Sequence, residues 1–183
     1  WKARGAQVAV ASFGDAGAVA AALEGASGAF LLNPPPVAGD PFAQTEKIGA
    51  ALAEGARRAR LPKAVVLSSI GAQHASGTGV IATLNRLEAL LDGAATATTF
   101  LRPGYFVETW SEVAEVAIAE GVLPTFIEPS QKIPMVSTID VGRAAGAVVA
   151  VRRGPDAAVI VDRRELVADR PVHPDGVVGQ AFF

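Results

Sequence analysis

Short apolar runs that read as buried strands alternate along this chain with alanine-rich segments of helical length. Four such runs occur, at residues 7–13, 28–33, 64–69 and 97–103. The clearest is AVVL, which stands before two serines and a glycine in KAVVLSSIGA at residues 63–72. A run with so few polar residues is typical of a strand whose two faces are both covered. Strand–helix alternation then predicts parallel strands joined by helices.

The segments between the runs carry helix start and stop signals. Asp15 can cap a helix that Gly25 ends, and Pro62 stops a long helix predicted at residues 41–60. The sequence therefore predicts an α/β fold with a Rossmann-type, doubly wound and mainly parallel sheet. We expect this sheet to be incomplete at both termini and the chain to be a fragment, because WKARGAQVAVASF reads as a helix tail entering a strand.

Composition narrows the classes of function. The 183 residues are 50% hydrophobic with a formal charge of −2, which suits one domain with a sizeable core and argues against nucleic acid as a partner. There is no cysteine, and the two histidines, His74 and His173, lie far apart, so no metal site is predicted. No apolar stretch reaches the roughly 20 residues that span a bilayer, and no signal peptide is seen. We expect a cytoplasmic protein with a small-molecule substrate.

Polar and aromatic residues follow the predicted strands. In parallel sheets, ligands bind beyond the carboxyl ends of the strands. The segments that would form this rim are residues 13–15, 33–35, 68–70 and 102–106. Together they supply a carboxylate, an amide, hydroxyls and aromatic faces. Such a mixture favours a nucleotide over a sugar or a metal.

Four stretches resemble the NmrA-like family of atypical short-chain dehydrogenases/reductases. They are FGDAGAVAAALEGASGAFLLNPP, VVLSSIGA, LRPGYFVETW and KIPMVSTIDVGRAA, and the resemblance covers residues 6–150. It implies an NADP- or NAD-binding Rossmann domain at residues 1–150, with residues 151–183 as a divergent remnant of the substrate region. Some members of the family are NAD(P)H-dependent oxidoreductases that act on quinones or related small molecules. Others have lost catalysis and sense the redox state of the cofactor.

The resemblance also implies roles for individual residues. A carboxylate lies beside the adenine, the loop after the second run covers the ribose and pyrophosphate, and the loops after the third and fourth runs line the nicotinamide half. The implied cofactor-binding residues are Asp15, Asn33, Pro34, Ser68, Ser69, Ile70, Pro103, Tyr105 and Phe106. Phe106 and Trp110 are the implied substrate contacts.

Two residues are candidates for catalysis. Tyr105 is the only tyrosine and thus the only phenol that can donate a proton, and a wall-packing role is an equal alternative. Asn85 stands where the family often has a lysine; its amide can orient a substrate but cannot act as a general acid. The chain also lacks a Tyr-x-x-x-Lys pair and a glycine-rich turn after a first strand. The choice between NADP and NAD is therefore not readable.

Three functions stay open at this point. The first is hydride transfer from NAD(P)H to a quinone or small carbonyl compound, which needs little acid catalysis. The second is a non-catalytic NAD(P) redox sensor that binds a protein partner, and the third is an inactive fragment. For a chain lacking the first strands we expect either that residues 7–13 pair with residues 28–33, or that the two face each other across a gap.

Overall fold

The structure, a computed structural model, describes residues 3, 5–35, 38–125 and 127–150, together with the backbone of residues 159–160. A 3₁₀ turn at Gly79–Ile81 precedes the third helix. In chain order the elements are α1 (Ala16–Leu23), β1 (Ala29–Leu31), α2 (Pro41–Arg58), β2 (Lys63–Leu67), α3 (Ala82–Leu91), β3 (Ala97–Leu101), β4 (Tyr105–Phe106), α4 (Thr109–Glu112), α5 (Ala114–Glu120), β5 (Met135–Val136), α6 (Thr138–Ala150) and β6 (Val159–Ile160).

A parallel sheet forms the middle layer of the molecule. Its strands are hydrogen-bonded in the order β1-β2-β3-β6. Leu31 lies opposite Val66, and Val66 lies opposite Phe100, so the register is continuous across the first three strands. The predicted α/β fold with a doubly wound, mainly parallel sheet is confirmed.

Helices cover both faces of this sheet. Ala64 and Val66 of β2 pack in the larger core with α1, α2 and α3, whereas Val65 packs in a second core with Ala145 of α6. These three β2 residues are at most 1% exposed. Because successive side chains of a strand point to opposite faces, coverage of both faces explains why the AVVL run has no polar alternation.

The first two helices begin as the sequence predicts. One carboxylate oxygen of Asp15 accepts hydrogen bonds from the backbone N–H groups of Gly17 and Ala18, at 2.9 and 3.1 Å. Asp40 caps α2 in the same way through Phe42 N–H, at 2.8 Å. Each cap satisfies backbone donors that the helix itself leaves unpaired.

The strand predicted at residues 7–13 is wrong. In the structure this segment forms no ladder, and Val8, Val10 and Phe13 are 46%, 98% and 49% exposed. Within the described ranges, β1 pairs with β2 only and its outer edge has no strand partner. The first of the two expected outcomes, pairing of residues 7–13 with β1, is therefore not what the described residues show, and a gap between the two segments stays a prediction. A strand depends on a neighbour for its hydrogen bonds, and β-forming residue types alone do not supply one.

The structure describes only two residues of the divergent tail predicted at residues 151–183. Val159 and Ile160 form a short parallel strand beside β3. The rest of the divergent tail predicted at residues 151–183 lies outside the described residues.

Candidate nucleotide-binding rim

Three of the predicted rim segments meet at one edge of the sheet. Residues 33–35, 68–70 and 102–106 follow β1, β2 and β3, and these strands run parallel. The strand register places Asn33, two residues beyond Leu31, beside the segment that follows β2. The structure thus brings together an amide, hydroxyls and aromatic rings that are far apart in the chain.

Backbone hydrogen bonds join two of these segments beyond the end of the sheet. Ser68 N–H donates to the carbonyl oxygen of Leu101 at 2.7 Å, and Ile70 N–H donates to that of Pro103 at 3.0 Å. The loops after β2 and β3 therefore form one continuous wall rather than two separate turns.

A buried carboxylate lies behind this wall. Glu88 of α3 is 8% exposed, and its Oε1 accepts hydrogen bonds from Ser68 Oγ at 2.5 Å and from Arg102 Nε at 2.8 Å. Its Oε2 accepts from Arg102 Nη2 at 2.5 Å. The hydrogen bond from Arg102 to Glu88 raises the pKa of the guanidinium, against the opposing effect of burial. The Ser68 hydroxyl therefore donates to Glu88 inside the protein, and the whole Ser68 residue is only 3% exposed.

The next two residues lie nearer to solvent. Ser69 is half-buried and Ile70 is 38% exposed, so both are more accessible than Ser68. Asn85 Nδ2 donates to the carbonyl oxygen of Ala72 at 2.8 Å and thereby fixes the loop that follows. Asn85 thus holds the backbone of this loop, and its predicted catalytic role stays a prediction.

The loop after β1 is tied to α2. Asn33 Nδ2 donates to Thr45 Oγ1 at 2.9 Å, and Gln44 Nε2 donates to the carbonyl oxygen of Pro34 at 3.3 Å. Asn33 Oδ1 is buried and has no hydrogen-bond partner among the residues that the structure describes. A buried acceptor of this kind is costly unless a donor reaches it, and it lies in the segment predicted to cover the ribose.

The fourth rim segment reaches the same helix. Phe13 and Gly14 line a cavity of about 330 Å³ with Gln44 and Lys47 of α2. Gly14 is packed so closely that a Cβ atom there would lie 2.9 Å from Lys47 Cε. Asp15, which is exposed, follows this cavity at the start of α1. Gln44 lines the cavity and also binds the loop after β1, so the two segments share one wall.

An aromatic pair lies on the segment after β3. The rings of Tyr105 and Trp110 have centroids 5.8 Å apart and planes inclined at 49°. Tyr105 N–H donates to the carbonyl oxygen of Pro134 at 2.9 Å in the two-stranded β4–β5 ladder. Gly104 is buried, and a Cβ atom there would overlap that same carbonyl oxygen. Phe106, Tyr105 and Trp110 are all half-buried, so their rings remain partly open to a ligand.

Glu108 connects the aromatic segment to α6. Its Oε1 accepts hydrogen bonds from Thr138 N–H and Thr138 Oγ1, both at 2.9 Å. Burial raises the pKa of Glu108, but hydrogen bonds from its own backbone, Thr138 and Ser137 together lower the pKa below its ordinary value. The carboxylate thus stays charged at the N-terminus of α6, where a negative charge is favourable.

Two further observations bear on the class of site. Within the part of the chain that the structure describes, no group of three or more His, Cys, Asp or Glu side chains is arranged to hold a metal ion. In the same residues no helix combines the length and the apolar character that crossing a membrane requires. A cavity of about 670 Å³, lined by residues that include Phe30, Lys63 and Val149, lies at the amino ends of the strands, away from the rim.

Sequence reasoning missed the helical residues that support the rim. Glu88 is not among the predicted site residues, although it lies four residues after Leu84 and three before Leu91, on the apolar face of α3. A charged residue on an apolar helical face is the signal that would have indicated a buried partner. Gln44 and Thr45 gave no comparable signal, because polar residues near a helix start are common on the surface.

Comparison with solved structures shows the fold. The NADPH-dependent quinone oxidoreductase of Escherichia coli, complexed with NADPH, aligns with a TM-score of 0.69 at 24% identity, over 83% of this chain and 51% of that one. The triphenylmethane reductase of Citrobacter sp. aligns with a TM-score of 0.67 at 17% identity, over 84% and 52%. The same reductase complexed with NADP(H) gives 0.53 at 16% identity, over 63% and 41%.

The chain spans about half the length of the first two of these structures. No family model and no curated protein matches it. Likeness at this level of identity establishes the α/β architecture, and membership of the NmrA-like family stays a prediction. The same holds for the contacts predicted at Asp15, Asn33, Ser69 and Tyr105.

Proposed function

We propose that this chain binds NADP or NAD along the rim and forms the cofactor-binding part of an NAD(P)H-dependent oxidoreductase that reduces a quinone or small carbonyl compound. The observation that carries the proposal is the assembled rim itself. The loops after β2 and β3 are hydrogen-bonded to each other, and with the loop after β1 they lie at the carboxyl ends of three parallel strands, the place where such sheets bind ligands.

The residues present fit a dinucleotide. Asn33 is half-buried and its Oδ1 has no donor among the described residues, so a shift of this loop that exposes the oxygen would let it accept from a ribose hydroxyl. Ser69 supplies a second polar group that is half-buried, and Ile70 supplies an apolar surface. The cavity lined by Gly14 and Lys47 is small and partly apolar, which suits a purine ring. The Lys47 ammonium group beside it suits a phosphate of the same nucleotide.

The hydroxyl of Ser68 takes a different part. It donates to Glu88 and is buried, so it supports the wall from behind, and the proposal assigns hydroxyl contact with the cofactor to Ser69. Pro103 is likewise fully buried and supports the wall from behind. The proposal assigns Phe106 to the nicotinamide half, and Pro34 and Asp15 to the adenosine half.

Reduced nicotinamide, when bound, supplies the hydride. The chain's own residues would then orient an acceptor and exclude water around it. Tyr105, Phe106 and Trp110 offer partly exposed aromatic faces, which suit a flat acceptor. A quinone needs little acid catalysis, so the lack of a Tyr-x-x-x-Lys pair is compatible with this substrate. The Tyr105 phenol can donate a proton where a carbonyl substrate requires one.

The solved structures of similar fold add support from outside the chain. A quinone oxidoreductase complexed with NADPH shares the fold over 83% of this chain, and a triphenylmethane reductase shares it over 84%. Quinones and triphenylmethane dyes are both conjugated molecules. We extend the reduction of such molecules to this chain, with a small-molecule substrate and a cytoplasmic location as parts of the same proposal.

The test is a titration followed by a turnover assay. The intact protein is titrated with NADPH and NADH while nicotinamide fluorescence is followed, and loss of NADPH absorbance is then measured with a panel of benzoquinones and naphthoquinones. We expect saturable binding and turnover of at least one quinone. Tyr105→Phe keeps the ring contact with Trp110 and should retain quinone turnover. Failure to bind either cofactor contradicts the whole proposal.

One observation favours a second candidate, a redox sensor without catalysis. Asn85 stands where a proton-relay lysine is expected, and its amide is hydrogen-bonded to the Ala72 carbonyl oxygen. A sensor would bind the cofactor, prefer its oxidised or its reduced form, and turn over none of the quinones. The same titration, repeated with NADP⁺, separates the two functions.

A further inference from the structure

We propose that Glu88 is the positioning residue of the rim: its single buried carboxylate fixes the loop after β2 relative to the loop after β3. The inference rests on the proposed function, because it is the cofactor that would use these two loops. It assigns a role to a side chain that touches neither loop's exposed surface and acts only through Ser68 and Arg102.

The contacts leave the carboxylate little freedom. Three hydrogen bonds of 2.5 to 2.8 Å reach its two oxygens, two from the Arg102 guanidinium and one from the Ser68 hydroxyl. The side chains of Arg102 and Glu88 are only 20% and 10% exposed. A bidentate guanidinium–carboxylate pair fixes the angle between its partners as well as their distance.

Chain position gives these contacts their effect on the site. Ser68 is the first residue after β2, and Arg102 is the first residue after β3. Each therefore immediately precedes a predicted contact residue, Ser69 in one loop and Pro103 in the other. Because Glu88 holds the Ser68 side chain inward, half-buried Ser69 is the more accessible of the two hydroxyl-bearing residues at the start of this loop.

Stability alone does not account for this arrangement. A buried ion pair loses its hydration, so replacing both partners by apolar residues of similar size is often neutral for stability. What such a pair supplies is a defined geometry. Removal of the pair should therefore loosen the rim more than it destabilises the fold, and this difference separates a positioning role from a merely structural one.

The chain contains a matched control. Glu46 and Arg86 form a second bidentate pair, with Nε to Oε2 at 2.6 Å and Nη2 to Oε1 at 2.8 Å. It joins α2 to the same helix α3, but both side chains are 50% exposed, and the hydrogen bonds described for the two side chains join them only to each other. The double variant Glu46→Gln/Arg86→Met thus removes an equivalent pair without touching the rim.

The experiment compares the intact protein, Glu88→Met/Arg102→Met and the control double variant. Melting temperature, amide hydrogen exchange without cofactor, and NADPH dissociation constant are measured for each. For the Glu88 variant we expect a small change in melting temperature, faster exchange at Ile70 N–H, and at least tenfold weaker NADPH binding. The control variant should match the unsubstituted protein in exchange and binding.

The outcomes distinguish this inference from the proposed function. If the unsubstituted protein binds NADPH and the Glu88 variant binds it equally well with unchanged exchange, Glu88 has no positioning role. If no variant binds NADPH, the proposed function fails, and faster exchange at Ile70 in the Glu88 variant alone still supports the positioning role. Should the double variant fail to fold, Glu88→Gln serves instead, since it keeps the size of the side chain but places an amide donor against Arg102 or Ser68.

Discussion

Polar residues at the strand ends differ in how completely their hydrogen bonds are satisfied. Ser68 is buried and its hydroxyl donates to Glu88, so this hydroxyl needs no hydrogen bond to a ligand. Asn33 donates to Thr45 but keeps a buried oxygen without a donor. An unsatisfied buried acceptor costs about 1–3 kcal/mol. A ligand that donates to Asn33 recovers this free energy on binding, which makes Asn33 the sharpest single-residue test of the rim.

We predict that Asn33→Ala weakens NADPH binding about tenfold, as expected for the loss of one hydrogen bond worth about 1–1.5 kcal/mol. Thr45→Val is the matched control, because it removes the same Asn33–Thr45 hydrogen bond and leaves Asn33 Oδ1 in place. Fluorescence titration of both variants decides the point. Equal weakening in the two variants would mean that the loop's anchoring matters and the free oxygen does not.

A second residue-scale prediction concerns pH. Hydrogen bonds from Thr138 and Ser137 lower the pKa of Glu108 below 4.5, although burial acts in the opposite direction. A folded-state pKa below the unfolded one stabilises the fold above the unfolded value, and this contribution is lost as pH falls through the folded value.

We therefore expect the melting temperature of the unsubstituted protein to exceed that of Glu108→Gln at neutral pH. The difference should shrink as pH falls below 4.5. Glu120→Gln, which changes an exposed glutamate at the end of α5, is the control and should show no such trend. A difference that is constant from neutral to acid pH would contradict the prediction.

At the scale of elements, close packing of helices on the sheet positions the site. α1 and α2 touch at Gly55, where a Cβ atom would lie 2.5 Å from Val19 Cγ1. We predict that Gly55→Ala lowers the free energy of unfolding by about 1–3 kcal/mol, as over-packing of a core does. Gly142→Ala in α6, where a Cβ atom meets nothing within 4 Å, should be neutral or stabilising by up to about 1 kcal/mol. Urea denaturation of both variants measures this, and equal effects would refute the packing argument.

The same scale shows what a sequence can and cannot predict. The apolar pattern of residues 64–67 predicts a strand correctly, because a run without polar alternation is typical of a strand covered on both faces. The carboxyl ends of such strands locate the rim. Residues 7–13 have the same residue types, yet the strand predicted there is wrong because no neighbour in the described residues supplies its hydrogen bonds. The supporting side chains, Glu88 above all, come from helices, and their contacts depend on tertiary packing that local pattern does not encode.

For the whole molecule, the consequence of this missing ladder is an open sheet edge. In the described residues the outer side of β1 has no strand partner, and Phe30 and Leu32 beside it are 40% and 37% exposed. Val10, within residues 7–13, is 98% exposed. Unpaired backbone groups next to apolar side chains favour pairing with another chain.

We predict that this 183-residue chain, purified by itself, associates increasingly as its concentration rises. Val10→Lys/Phe30→Lys should reduce the association, because a charge at an exposed edge opposes strand pairing. Ile118→Lys, which places the same charge on an 85% exposed residue of α5, is the control and should leave the association unchanged. Sedimentation velocity over a hundredfold range of concentration provides the measurement. A chain that stays monomeric throughout, or that responds equally to both substitutions, would show that the open edge does not govern its association.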